Sequence, residues 1–331
     1  MTQLSPSPRS TFLGFQPPAI GEEEIAAVAE TLRSGWLTTG PRAAELEERF
    51  AEYAGATPIF ADVREGDLNI DPEHVAALVT PRTKAIVPVH LAGQPADLDP
   101  LHALGLPVIE DAAHAVESSY CGRKIGGLSA ATCFSLYATK NVAAGEGGII
   151  TTGSDDVAAA VRELRLMRRG DGSLYDIAVP GYKANLSDVL AAIALVQLDK
   201  IERHREIRLR HVAAYDAAVV ELDGIEPLAR DQRDTHAHHL YIVRIDPERA
   251  GATRDQYQQA LVEERIGTSI HFLPVHRLSA YRERFPGQPA LPVAEKAGAE
   301  VLSLPLSPAH SDEDIGDAVA ALRRVHATFA K

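Results

Sequence analysis

Residues 108–150 read VIEDAAHAVESSYCGRKIGGLSAATCFSLYATKNVAAGEGGII. Two short apolar runs, around Ile109 and from Ala131 to Tyr137, each give way abruptly to polar residues and glycine. Such runs predict strands buried on both faces, and their ends are where an open sheet places its chemistry. Working outward, TPIFADV (57–63) and KAIVPVHLA (84–92) predict two more strands, with helices over DPEHVAALV (71–79) and LDPLHAL (98–104) between and after them. Short apolar strands alternating with helices predict an α/β layer with a mainly parallel sheet.

The flanks complete the outline. GEEEIAAVAETLRS (21–34) predicts an amphipathic helix with acids in its first turn, stopped by Gly35, and 42–53 predicts a second after the loop at 36–41. Long helices are predicted over 154–170 and 185–215, strands over LYIVRID (240–246) and GTSIHFL (267–273), and helices over 254–265 and 311–328. Ser311-Asp312-Glu313-Asp314 opens the last as a capping sequence. The pattern divides into a large domain over 11–200 and a smaller C-terminal α+β domain over 201–331.

The chain of 331 residues carries 33 Lys and Arg against 46 Asp and Glu, a net charge of −13. That acidity repels phosphate backbones and anionic lipid, so neither nucleic acid nor membrane is an expected partner, although one pocket can still be locally basic. Cys121 and Cys133 cannot build a disulfide framework, and no run of 18 apolar residues exists. A reducing cytoplasm is therefore the expected compartment.

Asp111 stands where an apolar strand ends. There it can bind a cation or a protonated ring nitrogen, or simply cap a helix. Lys140 lies between CFSLY and the glycines of GEGG. Partial desolvation there lowers a lysine's pKa and makes the amine nucleophilic; the plainer reading is a solvated loop lysine. Ser135 and Thr139 bracket Lys140 with hydroxyls able to donate to phosphate. Together, an acid at one strand end, a lysine at the next and a serine five positions before it are what pyridoxal phosphate requires. Elsewhere His90, His271 and His310 are candidates to line a substrate pocket, and each has an ordinary structural alternative. His236, His238 and His239 are close in sequence without metal-ligand spacing, and no metal site is expected.

The chain resembles the DegT/DnrJ/EryC1/StrS sugar aminotransferases. The likeness runs through SGWLTTGP (34–41), PRTKAIVPVHLAGQPADLD (81–99), VIEDAAHAVESSYCGRKIG (108–126), SLYATKNVAAGEGG (135–148), PGYKANLSDVLAAIALVQL (180–198), HHLYIVRID (238–246), IGTSIHFLPVH (266–276) and YRERFP (281–286). Within the family it is most similar to the UDP-4-amino-4-deoxy-L-arabinose–oxoglutarate type. The resemblance implies the fold-type-I pyridoxal-phosphate architecture. Lys140 would hold the cofactor as an imine, Asp111 would pair with the pyridine nitrogen, and His114 would touch the ring or its hydroxyl. Ser135 would bind phosphate, and Asn185 would reach the cofactor of a neighbouring subunit, which implies a homodimer with shared active sites. Trp36 and Thr38 would face the sugar nucleotide. The implied reaction moves an amino group from L-glutamate to a nucleotide-linked 4-keto sugar.

One part of the family pattern is missing. After Ala56, relatives continue with a strand, a Ser-Gly-Thr-like turn, a helix, another strand and an aromatic-bearing helix before the stretch that here reads TPIFADV. That is on the order of fifty residues, since one βαβ unit takes about thirty. The turn would supply N–H groups to the phosphate and the aromatic would stack on the ring. The large domain is therefore expected to be internally shortened, with apolar faces laid bare. The alternative to an active enzyme is an inactive family member serving as a dimerisation or scaffold protein, or a truncated product.

Overall fold

The computed structural model describes residues 57–169 and 177–329. The helices predicted over 21–34 and 42–53 lie outside them, as do Trp36 and Thr38.

Helix α1 (Pro72–Leu78) starts at Asp71, whose carboxylate accepts from the Glu73 N–H. A 3-10 turn (Leu91–Gly93), α2 (Leu98–His102) and β1 (Ile109–Asp111) follow. A small hairpin, β2 (Ser119–Tyr120) and β3 (Arg123–Lys124), leads to β4 (Ala131–Ser135) and β5 (Gly148–Thr151). β4 runs parallel to β1, pairing Asp111 with Cys133, and β5 runs antiparallel to β4, pairing Gly148 with Ser135. On the far side of β1, Ile86 and Val89 make parallel bridges to Val108 and Asp111. The predicted KAIVPVHLA strand thus has the right place and direction but is reduced to two bridges. Pro88, between them, has no N–H to give to a ladder.

TPIFADV departs further. It makes a single bridge, Val63 to Ile70, and no described strand lies beside it. Its polar end is used instead: both Asp62 carboxylate oxygens accept from the Val293 and Ala294 N–H groups at the start of a C-terminal helix.

Helix α3 (Asp155–Arg165), capped by Ser154, is shorter than the predicted 154–170; the chain turns into β6 (Met167–Arg169), antiparallel to β7 (Ile177–Pro180). The predicted helix over 185–215 is two, α4 (Asp188–Asp199) and α5 (Ile201–Val219), divided at Lys200. β8 (Ile225–Pro227) and β9 (Tyr241–Ile245) come next, then α6 (Pro247–Ala250), α7 (Arg254–Glu263), a 3-10 turn (Val275–Arg277), α8 (Ser279–Arg284) and α9 (Pro292–Glu300). β10 (Val301–Leu304) and α10 (Asp312–Phe329) end the chain's described part. The strand predicted over 267–273 is one bridge, Ser269 to Ser303. The sheet order β10-β9-β8 is antiparallel throughout.

One apolar cluster joins α5, β9, α7, β10 and α10 through Tyr215, Val243, Leu261, Leu302 and Leu322. A second lies under the parallel strands, with Val75, Ile86, Leu98, Leu101 and Val108. Leu136, Val142 and Ala144 form a third, covered by Leu186, Leu190 and Ile193 of α4 and its approach.

Candidate active site

β1 and β4 are neighbours in register, so their carboxyl ends carry Asp111 and Ser135 to the same edge of the sheet. Asp111 is half-buried, and one of its oxygens accepts from the Ala113 N–H at 3.0 Å. That bond turns the chain after β1 and delivers His114, only 8% exposed. Ser135 Oγ accepts from the Tyr137 N–H at 3.2 Å, which leaves its own proton available for donation. A tight turn follows, closed by the Lys140 N–H donating to Tyr137 O, and it presents Lys140 half-buried.

Three histidines gather around this lysine. The rings of His114 and His239 lie 4.4 Å apart, and Phe272 stacks on His114 at 6.2 Å with 14° between planes. His271 packs edge-on to Phe272 and hydrogen-bonds Ser303 Oγ at 2.8 Å. Burial, reinforced by the Lys140 charge, lowers the His114 pKa to about 3 and that of His271 to about 4, and drives His239 well below the ordinary range. All three are neutral at pH 7. Nδ1 of His114 is buried and makes no hydrogen bond among the described residues.

Close backbone approach permits this gathering. Gly93 has φ +98°, and a Cβ there would stand 2.9 Å from both His114 O and Ala237 Cβ. Ser118 Oγ donates to Gly93 O at 2.6 Å, fastening the turn to the segment after β1.

The structure thus brings together Asp111, His114, Ser135, Lys140 and His271. His90 is different. Its ring is fully buried, with Nε2 2.7 Å from Glu110 Oε2 and Nδ1 accepting the Ala96 N–H at 2.9 Å. Both nitrogens are used inside the core, so His90 is a structural residue and the pocket role expected for it is corrected. His310 is buried in the turn before α10, its N–H donating to Ser307 O. Asn185 stands half-buried two residues before Ser187, the N-cap of α4, and its Oδ1 accepts from Lys183 Nζ at 2.9 Å.

Sequence reasoning misses His239, Phe272, Glu117, Asn141 and Arg208. The one available signal is Asn141, the polar neighbour of Lys140. Glu117 lies within the opening stretch but carries no pattern of its own; the rest come from segments far away in sequence, and the His236–His239 stretch by itself raises only the question of metal binding.

The residues fit a pyridoxal-type cofactor. An acid and a lysine share one edge of the sheet, a hydroxyl is poised to donate, and an orphaned ring nitrogen lies buried beside the lysine.

Comparison with known proteins agrees with this geometry. The sequence model of the DegT/DnrJ/EryC1/StrS aminotransferase family matches residues 18–57 and, in a second segment, 53–323. The chain is 38% identical to the spore coat polysaccharide biosynthesis protein SpsC of Bacillus subtilis, across 96% of this chain and 98% of that one, over 381 aligned positions. Among solved structures, DesI in the presence of its TDP-sugar product is similar at 32% identity and a TM-score of 0.83, covering 98% of this chain and 95% of that one. The pyridoxal-phosphate form of the sugar aminotransferase Spr1654 from Streptococcus pneumoniae is similar at 27% identity and a TM-score of 0.85, covering 97% of this chain and all of that one. A match of this extent, on a sheet that sets Asp111 and Lys140 at one edge, shows that the chain belongs to the DegT/DnrJ/EryC1/StrS aminotransferase family.

Proposed function

We propose that this protein, by family a pyridoxal-phosphate-dependent sugar aminotransferase, moves an amino group from L-glutamate to a nucleotide-linked 4-keto sugar in the cytoplasm. The observation that carries the reading is the meeting of Lys140 with His114, whose buried Nδ1 makes no hydrogen bond among the described residues, where β1 and β4 end.

The bound cofactor supplies an electron sink for negative charge developing at the substrate carbon. The chain's own residues do the rest. Asp111 would pair with the pyridine nitrogen and keep it protonated. Lys140 Nζ would hold the cofactor and, as the base of the site, would take a proton from the donor's α-carbon and return it. His114, held neutral, offers a flat apolar wall without adding a second cation beside Lys140. The Ser135 hydroxyl donates to phosphate. Asn185 contributes to the site of a second copy in a homodimer. In support, Leu195 and Leu198 of α4 are more than half exposed. They lie on the side of α4 away from Leu190 and Ile193, which cover its own cluster.

A second reading is favoured by a specific observation. The SpsC match has on the order of fifty more positions than this chain has residues, and the family match restarts at residues 53–57. Both support a segment missing after Ala56. Its loss removes phosphate donors at about 1–3 kcal/mol each. The chain would then be an inactive scaffold or a truncated product.

The deciding experiment adds pyridoxal phosphate to purified protein. A yellow product that glutamate bleaches, absent in Lys140→Ala, supports the enzyme. A folded, dimeric protein that stays colourless at saturating cofactor favours the second reading.

A further inference from the structure

Behind Lys140 lies a buried polar chain that the proposed chemistry does not use. Glu117, 2% exposed, spends both carboxylate oxygens: Oε1 accepts from Arg208 Nη2, and Oε2 accepts from Asn141 Nδ2 at 2.5 Å. Its backbone carbonyl accepts from Lys124 Nζ at 3.1 Å. Asn141 Nδ2 also reaches Ala237 O at 3.2 Å, and Arg208 Nε reaches the same carbonyl at 3.4 Å. The remaining end of the Asn141 amide, Oδ1, lies 3.0 Å from His239 Nδ1.

These contacts assign the protons. A carboxylate and a backbone carbonyl only accept, so the amide must turn its NH2 toward Glu117 and Ala237. Its oxygen then faces His239, and an oxygen that only accepts requires the proton on Nδ1 of that ring. His239 packs on His114 at 4.4 Å. Arg208 comes from α5 and His239 from the segment before β9, while Asn141 is the peptide neighbour of Lys140.

We infer that Glu117 and Asn141 are positioning residues: together they fix the Nδ1–H form of His239 and hold the turn that carries Lys140. The inference rests on the reading of Lys140 and His114 as the cofactor site, but its first test needs no cofactor.

That test is nitrogen NMR of the full-length cofactor-free protein labelled with 15N-histidine. In the wild type, His239 Nδ1 gives a protonated-nitrogen shift and Nε2 an unprotonated one. Asn141→Ala removes the acceptor and moves the ring toward the Nε2–H form. Glu117→Gln does the same: with its oxygen held by Arg208, the new amide aims its own NH2 at the Asn141 NH2. The double variant Glu117→Gln, Asn141→Asp returns the ring toward the Nδ1–H form, with Ala237 O losing the donor from 141 and keeping Arg208 Nε. The amide at 117 then donates to the carboxylate at 141, and that carboxylate accepts from His239. A purely space-filling role would not produce this rescue. A wild-type His239 protonated on Nε2, or the same tautomer in wild type and Asn141→Ala, overturns the inference.

The second arm titrates pyridoxal phosphate and reads the visible band. Asn141→Ala should take up cofactor about tenfold more weakly, one hydrogen bond's worth, and unchanged uptake overturns the claim on the Lys140 turn. Lys140→Ala should form no band. If Lys140→Ala colours like the wild type, or the wild type never colours, the cofactor reading fails. The nitrogen shifts still decide whether Glu117 and Asn141 set His239.

Discussion

β9 and β5 are both short apolar strands, and they fare differently. In β9, Tyr241, Ile242 and Val243 are consecutive and all buried. Successive strand residues face opposite ways, so both faces of β9 are covered, and β8 and β10 close both its edges. In β5, Ile149 and Ile150 are also consecutive, and each is about half exposed. β4 closes one edge of β5, and no described strand pairs with the other. The opposite margin of the same sheet repeats the pattern, with Val87 and Val89 well exposed. The antiparallel sheet is a finished unit; the mixed one, among the described residues, is a centre without borders. Apolar strands call for neighbours in both places, and among the described residues only one place has them. A bare apolar edge is a template for pairing with another chain.

The largest effect should come from the bond that ties the two regions together. Arg208→Ala leaves Glu117 buried without its cation and should cost about 3–5 kcal/mol, read as a drop in the urea midpoint. A midpoint within experimental error of wild type would mean the regions are not coupled through this pair. Within the finished sheet, Leu302→Ala opens the fully buried core of β10 and should cost about 2–5 kcal/mol. Hydrogen exchange should likewise be slower in β9 and β10 than in β5; the reverse order would break the comparison.

Acid should weaken the molecule through its histidines. His114 and His238 are lowered to about 3, and His271 to about 4, in each case chiefly by burial. The unfolded chain binds protons near 6.5 and the folded chain does not, so stability is complete above 6.5. It falls as pH drops from there toward 3. Melting temperatures between pH 7 and 4 check this, and a flat profile would contradict the buried, neutral state of these rings. The smallest effect belongs to the unfinished edge. Ile150→Thr should alter stability by no more than about 0.5 kcal/mol while raising solubility, measured as the monomer-to-aggregate ratio on a sizing column.

The half of the site from Asp111 to Lys140 is legible in the sequence because thirty consecutive residues carry it. Two strand ends and a glycine turn locate those groups without long-range information. Arg208, His239 and Phe272 are illegible because only the folded chain brings α5 and the segments around β9 and β10 against that turn. His90 shows the opposite failure. Its place after an apolar run is plain in the sequence, but nothing in the run says that the ring turns inward to Glu110. The strand expected at 57–63 fails for the same reason that β5 is exposed. Its own residues favour extension, and a strand becomes regular only with a partner beside it. The α/β class, strand β9 and the helix opened by Ser311 are readable, each resting on local spacing and capping; Ser311 Oγ indeed accepts the Asp314 N–H at 3.1 Å.

Asp62 acts as a rivet. It lies only a few residues into the described chain, yet its carboxylate grips the first turn of α9, more than two hundred residues later. Gln288 grips back, donating to Pro58 O and accepting from the Phe60 N–H. A hinge opening between the two halves would have to pull these four bonds apart at once.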